Sequence, residues 1–181
     1  MIVTDTIETF VEDGIRLRSG ATIPADIIES ATGLVMKLMG GVDIRVDDEP
    51  VRLDEKLVYR GAILSGIPNL AFAFGYTNAS WTLRCDLSAR YVCRLLNYMG
   101  RKGWVVCTPI LGKSIEPEPW LDFSSGYVRR ADAVLPKQGQ RAPWRVKRNY
   151  LKDLAAHGWG SINDGTIKFH AKPDHPRATQ A

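Results

Sequence analysis

The chain has 181 residues, 45% of them hydrophobic, which suits one ordinary domain with a core and excludes a chain disordered by composition. Its net charge of +4 is unevenly spread: from Val128 onward eleven Lys or Arg face four Asp or Glu, and the rest is slightly acidic. No apolar run approaches the roughly 20 residues that span a bilayer, and Asp5, Glu8, Glu12 and Asp13 stand where a secretory leader would be basic.

In chain order, Ile2 to Val11 is rich in Val, Ile, Thr and Phe and predicts a strand. Turns at Glu12-Asp13-Gly14 and Ser19-Gly20 flank a short strand at Ile15 to Leu17, and Ala21 to Ile23 continues the pattern. Asp26 to Ser30 predicts a buried strand ending in Ala31-Thr32-Gly33. After the break at Gly40-Gly41, Val42 to Leu53 alternates like an acidic hairpin, and Leu57 to Leu64 reads as a strand with Gly61 inside it. Leu70 to Phe74 reads as another buried strand, stopped by Gly75.

A helix is predicted from about Ser80 to Gly100. At about 100° per residue, Leu87, Tyr91, Val92, Leu95, Leu96 and Met99 share one broad face, while Asp86, Arg90, Arg94, Asn97 and Arg101 lie opposite. Asp86 and Arg90 are spaced for an i, i+4 ion pair. Arg84 falls on the apolar side, either as a side chain reaching out from the rim of the core or as a ligand contact. Three cysteines, Cys85, Cys93 and Cys107, lack CxxC spacing; the pattern argues against disulfides or a thiolate metal site and for a reducing, cytoplasmic setting. Periodicity buries Cys85 and puts Cys93 near the edge of the buried face.

Trp104 to Thr108 predicts one more strand. Beyond Pro109 the prolines separate short pieces, with helices expected within Ser125 to Leu135 and Val146 to Ala156, the latter closed by Gly158. This part reads as a basic arm laid over a larger body. Its charge suits a solvated arm on an acidic partner surface better than nucleic acid, because no aromatic residues are regularly interleaved. His157, His170 and His175 have no metal-ligand spacing and read as surface residues.

The segment Asn69 to Arg84, NLAFAFGYTNASWTLR, carries the most chemistry. In open α/β sheets ligands sit beyond the carboxyl ends of strands, where a helix N-terminus offers unpaired N–H groups and a partial positive charge. A group with anionic character is expected there. Asn78 and Ser80 are also ordinary N-cap residues, and capping is the favoured role for both.

The Ala31-Thr32-Gly33 strand end, then PNLAFAFGYTNASWTLR and RYVCRLLNYM, resemble the C-terminal third of flavin-containing monooxygenases of the Baeyer–Villiger type, and within them the ethionamide-activating subgroup. YVRRADAVLPKQGQRAPWRVKRNYLKD extends that similarity across nearly the whole chain. The resemblance implies an α/β fold that is an incomplete C-terminal part of a two-dinucleotide-binding-domain flavoprotein, with an irregular helical arm. Residues 1–33 would end the NADP-binding region and return to the FAD domain, 34–112 would be the C-terminal part of the FAD domain, and 113–181 the arm.

The resemblance further implies bound FAD, NADPH as reductant, and insertion of one oxygen atom from O2 into a ketone or a sulfur or nitrogen centre. Gly33 would lie where the two domains join. Gly75, Asn78, Thr82 and Leu83 would lie beside the flavin, with the backbone N–H groups of Thr82 and Leu83 toward its pyrimidine edge, and Trp81 would wall the substrate pocket. No catalytic residue is carried over, because the family's catalytic arginine lies upstream, and neither Arg60 nor Arg84 is at the matching place. No G-x-G-x-x-G occurs in the chain, so neither pyrophosphate has its close-approach loop. The expectation is a fragment that is inactive alone and pairs with a separately encoded N-terminal half. The competing expectation is a non-catalytic remnant that binds another monooxygenase chain.

Overall fold

The computed structural model describes residues 2–121 and 125–172. The chain divides into two compact units, Met1–Leu34 and Val35–Ala181. In the first, β1 (Ile7–Val11), β2 (Gly14–Leu17) and β3 (Thr22–Pro24) form an antiparallel sheet in the order β1-β2-β3. Gly14 is needed where β2 meets β3: a Cβ there would lie 2.0 Å from the carbonyl oxygen of Ile23. The strand expected at Asp26 to Ser30 does not form. No described strand pairs with it, and Ile27, placed by the sequence pattern in a core, is 88% exposed.

The second unit opens with a hairpin of β4 (Arg45–Val46) and β5 (Glu49–Pro50), where the expected acidic hairpin lies. Its turn residues Asp47 and Asp48 both have positive φ, a conformation that Asp tolerates better than most residues. The predicted single strand from Leu57 to Leu64 is instead a second hairpin, β6 (Val58–Tyr59) and β7 (Ile63–Leu64). Arg60 and Gly61, at φ 49° and 70°, reverse the chain between them. Leu70 to Phe74 is extended but, among the described residues, holds only one bridge, Ala71 to Ile63. Leu70, Phe72 and Phe74 turn inward and Ala71 and Ala73 outward, so the segment is half-buried rather than a central strand.

α1 (Trp81–Lys102) is the longest element and matches the predicted helix to within two residues. Gly103, in the left-handed conformation, closes it. Its buried stripe is Arg84, Leu87, Ser88, Tyr91, Leu95 and Met99; Leu96, expected inside, is 59% exposed. Arg94, expected in solvent, is half-buried because its guanidinium donates to the carbonyls of His157 and Gly160. The Asp86–Arg90 pair forms at 2.8 Å. Cys85 is half-buried, Cys93 exposed and Cys107 buried, all as free thiols.

β8 (Trp104–Pro109) follows, then β9 (Pro117–Pro119), α2 (Gly126–Ala131), β10 (Lys137–Gly139), α3 (Tyr150–Gly158) and β11 (Ile167–Ala171). β10 pairs with β9 and β11 with β8, both antiparallel. On the other side of β8 the Asn69 side chain takes the place of a strand: Oδ1 accepts from the Cys107 N–H and Nδ2 donates to the Val105 carbonyl, each at 3.0 Å.

Two cores result. One gathers Leu57, Tyr59, Tyr91, Leu95, Trp144 and Ile167, the other Val58, Leu64, Trp120, Val128 and Leu135. Alternation along Leu57-Val58-Tyr59 sends successive side chains to opposite cores, so β6 is buried on both faces. Trp120, Val128, Leu135, Trp144 and Ile167 all lie beyond Pro109 and supply both cores, so the stretch expected to be a solvated arm is packed into the body at those residues.

Candidate functional site

α1 begins where the bend Gly75 to Ser80 ends. Gly75 is buried, and a Cβ on it would lie 2.1 Å from the Trp81 ring. The absence of a side chain lets the indole lie flat against the backbone before the helix starts. Trp81 also meets Phe74 at a ring-centroid distance of 4.7 Å, and Phe74 meets Trp120 at 4.4 Å. Trp81 is 51% exposed, so it is the open end of an aromatic wall and not a core residue. This wall edges an apolar recess of about 270 Å³ whose lining includes Met36, Leu38, Phe72 and Leu135.

The first turn of the helix is open. Trp81, Thr82 and Leu83 are all exposed, and no acidic residue stands in that turn. Ser80 takes the N-cap position but makes no capping hydrogen bond; its Oγ lies 3.0 Å from Thr82 Oγ1 instead. Nor does Asn78 cap, contrary to the role the sequence favours, since its Nδ2 donates to the Arg148 carbonyl at 3.2 Å and ties the bend to the chain before α3. The N-terminal N–H groups of a 22-residue helix thus have no side-chain acceptor from this bend. Gly33, at φ 93°, belongs to the first unit.

Behind the bend the space is nearly filled. About 20 Å³ remains beside Gly61, Tyr76 and Arg84, roughly the room for one water. Arg84, left open between rim and ligand, is buried: its Nη2 donates to the Arg60 carbonyl at 2.8 Å and its guanidinium lies 5.7 Å from the Tyr76 ring centroid. Nη1 sits 2.5 Å from Asp153 Oδ2 on α3 but without hydrogen-bond geometry, so the contact is an ion pair and not a directed bond. Tyr76 donates to the same Asp153 oxygen at 2.7 Å, and burial together with that carboxylate pushes the phenol up to about 12. Gly61 makes room for the guanidinium, since a Cβ there would lie 2.0 Å from Arg84 Nη2.

His157, expected at the surface, is buried between two backbone carbonyls, with Nδ1 2.8 Å from Asp153 O and Nε2 3.0 Å from Arg60 O. Burial and the charge of Arg84 hold it below its ordinary value despite those acceptors. His170 is exposed as expected, and His175 lies outside the described residues. Arg60 reaches across to Asp164 at 3.0 Å and to the carbonyls of Ala156 and Ser161. Burial, then Tyr91, raises the Tyr59 hydroxyl well above the usual phenol range, and it donates to Asp164 at 2.8 Å. Sequence reasoning missed Tyr76, Asp153 and Asp164. The only hint was Arg84 on an apolar face, which calls for a buried acid elsewhere.

Two expected results follow from this geometry. Gly75→Ala must displace the Trp81 ring and is expected to cost about 1–3 kcal/mol, read as a lower urea midpoint with a shifted tryptophan emission maximum; unchanged emission would contradict the close approach. His157 favours its neutral form in the folded state, so its contribution is complete above the ordinary value of 6.5 and is lost as pH falls below it. The melting temperature is expected to drop between pH 7.5 and pH 5.5, and to drop less in His157→Gln.

Among the described residues no group of three His, Cys, Asp or Glu side chains is placed to hold a metal. No described helix is long and apolar enough to cross a membrane.

The chain is 48% identical over 173 residues to the FAD-containing monooxygenase EthA of Mycobacterium tuberculosis, covering 95% of this chain and 35% of that protein. It is 42% identical over 175 residues to the probable FAD-binding monooxygenase AlmA of Acinetobacter baylyi, covering 96% of this chain and 35% of the relative. The putative FAD-containing monooxygenase MymA of Mycobacterium tuberculosis is 43% identical over 180 residues, 98% of this chain and 36% of its own length. No family model and no solved structure matches. The chain thus spans about a third of the length of the curated relatives it matches. Identity at this level along nearly all of its residues places the chain in the family of FAD-containing monooxygenases.

Proposed function

We propose that this chain is the C-terminal, flavin-facing part of an FAD- and NADPH-dependent monooxygenase acting on ketones or on sulfur or nitrogen centres of small molecules. The observation that carries the reading is the open, uncapped first turn of α1 beside a half-exposed tryptophan. When bound, the flavin supplies the oxygen-activating chemistry. The chain's own part is to hold partial positive charge at the backbone N–H groups of Thr82 and Leu83, where the electron-rich edge of a ring would gain from it. Trp81 walls the substrate side, Gly75 lets it approach, Asn78 fixes the bend, and Gly33 serves the joint between domains.

The residues fit one edge of a flavin and nothing more. With no G-x-G-x-x-G in its sequence, the chain lacks a loop for either pyrophosphate. We therefore expect it to be inactive alone and to need a partner polypeptide supplying the rest. Exposed Ile27, Val35, Leu151 and Trp159 are large apolar side chains available to such a partner. A cytoplasmic location accords with the three free cysteines.

Co-expression with the N-terminal two thirds of EthA tests the reading. The chain alone is expected to purify colourless, and the pair to carry flavin absorbance and consume NADPH. A yellow, NADPH-oxidising single chain would overturn the inactivity; a stable pair without flavin would overturn the flavin-facing role.

A further inference from the structure

A basic groove lies along the segment Arg141 to Arg148 in the second unit, and the flavin reading makes no use of it. Alternation sorts this segment's side chains. Trp144 is buried and Val146 half-buried, while Arg145 and Lys147 are exposed on the opposite side. The backbone is clamped in that orientation. The Trp144 N–H donates to the Arg141 carbonyl, the Gly139 N–H donates to the Trp144 carbonyl, and the Val146 N–H donates to Gln138 Oε1. Gln138 is itself only 6% exposed and donates from Nε2 to the Pro119 carbonyl at 2.9 Å, so the groove is built on a satisfied, buried amide.

The groove has a volume of about 770 Å³, within the range of small-molecule sites. Arg141, Arg145 and Lys147 line it against one carboxylate, Glu118. Glu118 engages Arg145 through Nη1 alone, at 2.5 Å, and Arg141 reaches only the Ser114 hydroxyl, at 3.3 Å. Lys147 has no acidic partner among the described residues. Arg145 and Lys147 also line a smaller recess of about 190 Å³. Deeper in that recess Arg60 pairs with Asp164 and Arg84 with Asp153, so the interior is balanced and the unbalanced charge is at the mouth.

We propose that this groove binds a phosphate-bearing small ligand, with Arg141, Arg145 and Lys147 holding the anion. Guanidinium groups match phosphate oxygens in pairs, and a lysine adds a point charge. The backbone hydrogen bonds around Trp144 hold the segment so that all three cations line the same groove.

The test is calorimetric titration of the full chain with inorganic pyrophosphate at fixed ionic strength. Saturable binding is expected, weakened about tenfold or more in Arg145→Gln/Lys147→Gln and unchanged in Lys152→Gln, an exposed cation on α3 outside the groove lining. Lys147→Gln alone serves if loss of the Glu118 pair disturbs folding by circular dichroism. Wild-type affinity in the folded groove variants, equal weakening in Lys152→Gln, or no saturable binding would overturn the proposal. Tighter binding of ADP than of pyrophosphate would support it and identify a nucleotide, and equal binding would support it as a bare diphosphate site.

Discussion

Arg84→Leu is expected to lower stability by about 3–5 kcal/mol, the usual result of removing one partner from a buried ion pair. A domain of this size holds about 5–15 kcal/mol in total, so the urea midpoint falls far. Side chains of Arg84 and Asp153 are 3% and 4% exposed, and without the guanidinium the carboxylate keeps, among the described residues, only the Tyr76 hydroxyl as a side-chain partner. The pair itself is not strongly favourable. Nη1 approaches Asp153 off the axis of a hydrogen bond, and desolvating both charges offsets most of their attraction. Arg84→Leu/Asp153→Leu, with Tyr76→Phe to remove the orphaned hydroxyl, is therefore expected to recover most of the loss. His157 reports on the same event, because Arg84 helps hold its ionisation down; its titration by NMR is expected to move up in Arg84→Leu. An Arg84→Leu midpoint equal to the wild type would show that the pair leaves no buried charge to strand.

Trp144→Ala is expected to cost a similar amount, about 3–5 kcal/mol. The indole is 2% exposed and meets Tyr59 edge-on at 5.4 Å. It fills the centre of the first core from a stretch that the sequence assigns to an arm. The contrast is Trp159→Ala, at a side chain 77% exposed, where about 0.5 kcal/mol or less is expected. Equal losses in the two variants, measured by urea unfolding, would contradict the place of Trp144 in the core.

The long helix was legible because its signal is local: an apolar period, a glycine at the end and an i, i+4 pair all sit within one stretch. The hairpin at Asp47-Asp48 was legible for the same reason. The union of β8 with β11 was not, since nothing near Trp104 announces a partner some 60 residues later. Leu70 to Phe74 reads as a buried strand because its composition is apolar throughout, yet a fully buried strand needs neighbours on both sides, and among the described residues only Ile63 supplies a bridge. At the site, the bend and the exposed Thr82, Leu83 and Trp81 came from local residues. The support beneath them came from Asp153 and His157, polar residues on a short amphipathic helix whose burial only the tertiary packing reveals.

Asn69 has a consequence for how the molecule behaves in a crowded solution. An open ladder rim recruits other chains by offering a row of vacant donors and acceptors. Here a single carboxamide, carried on a left-handed residue at φ 54°, already occupies that rim of β8 at Cys107 and Val105. Polymer growth by strand addition has no foothold at those two residues.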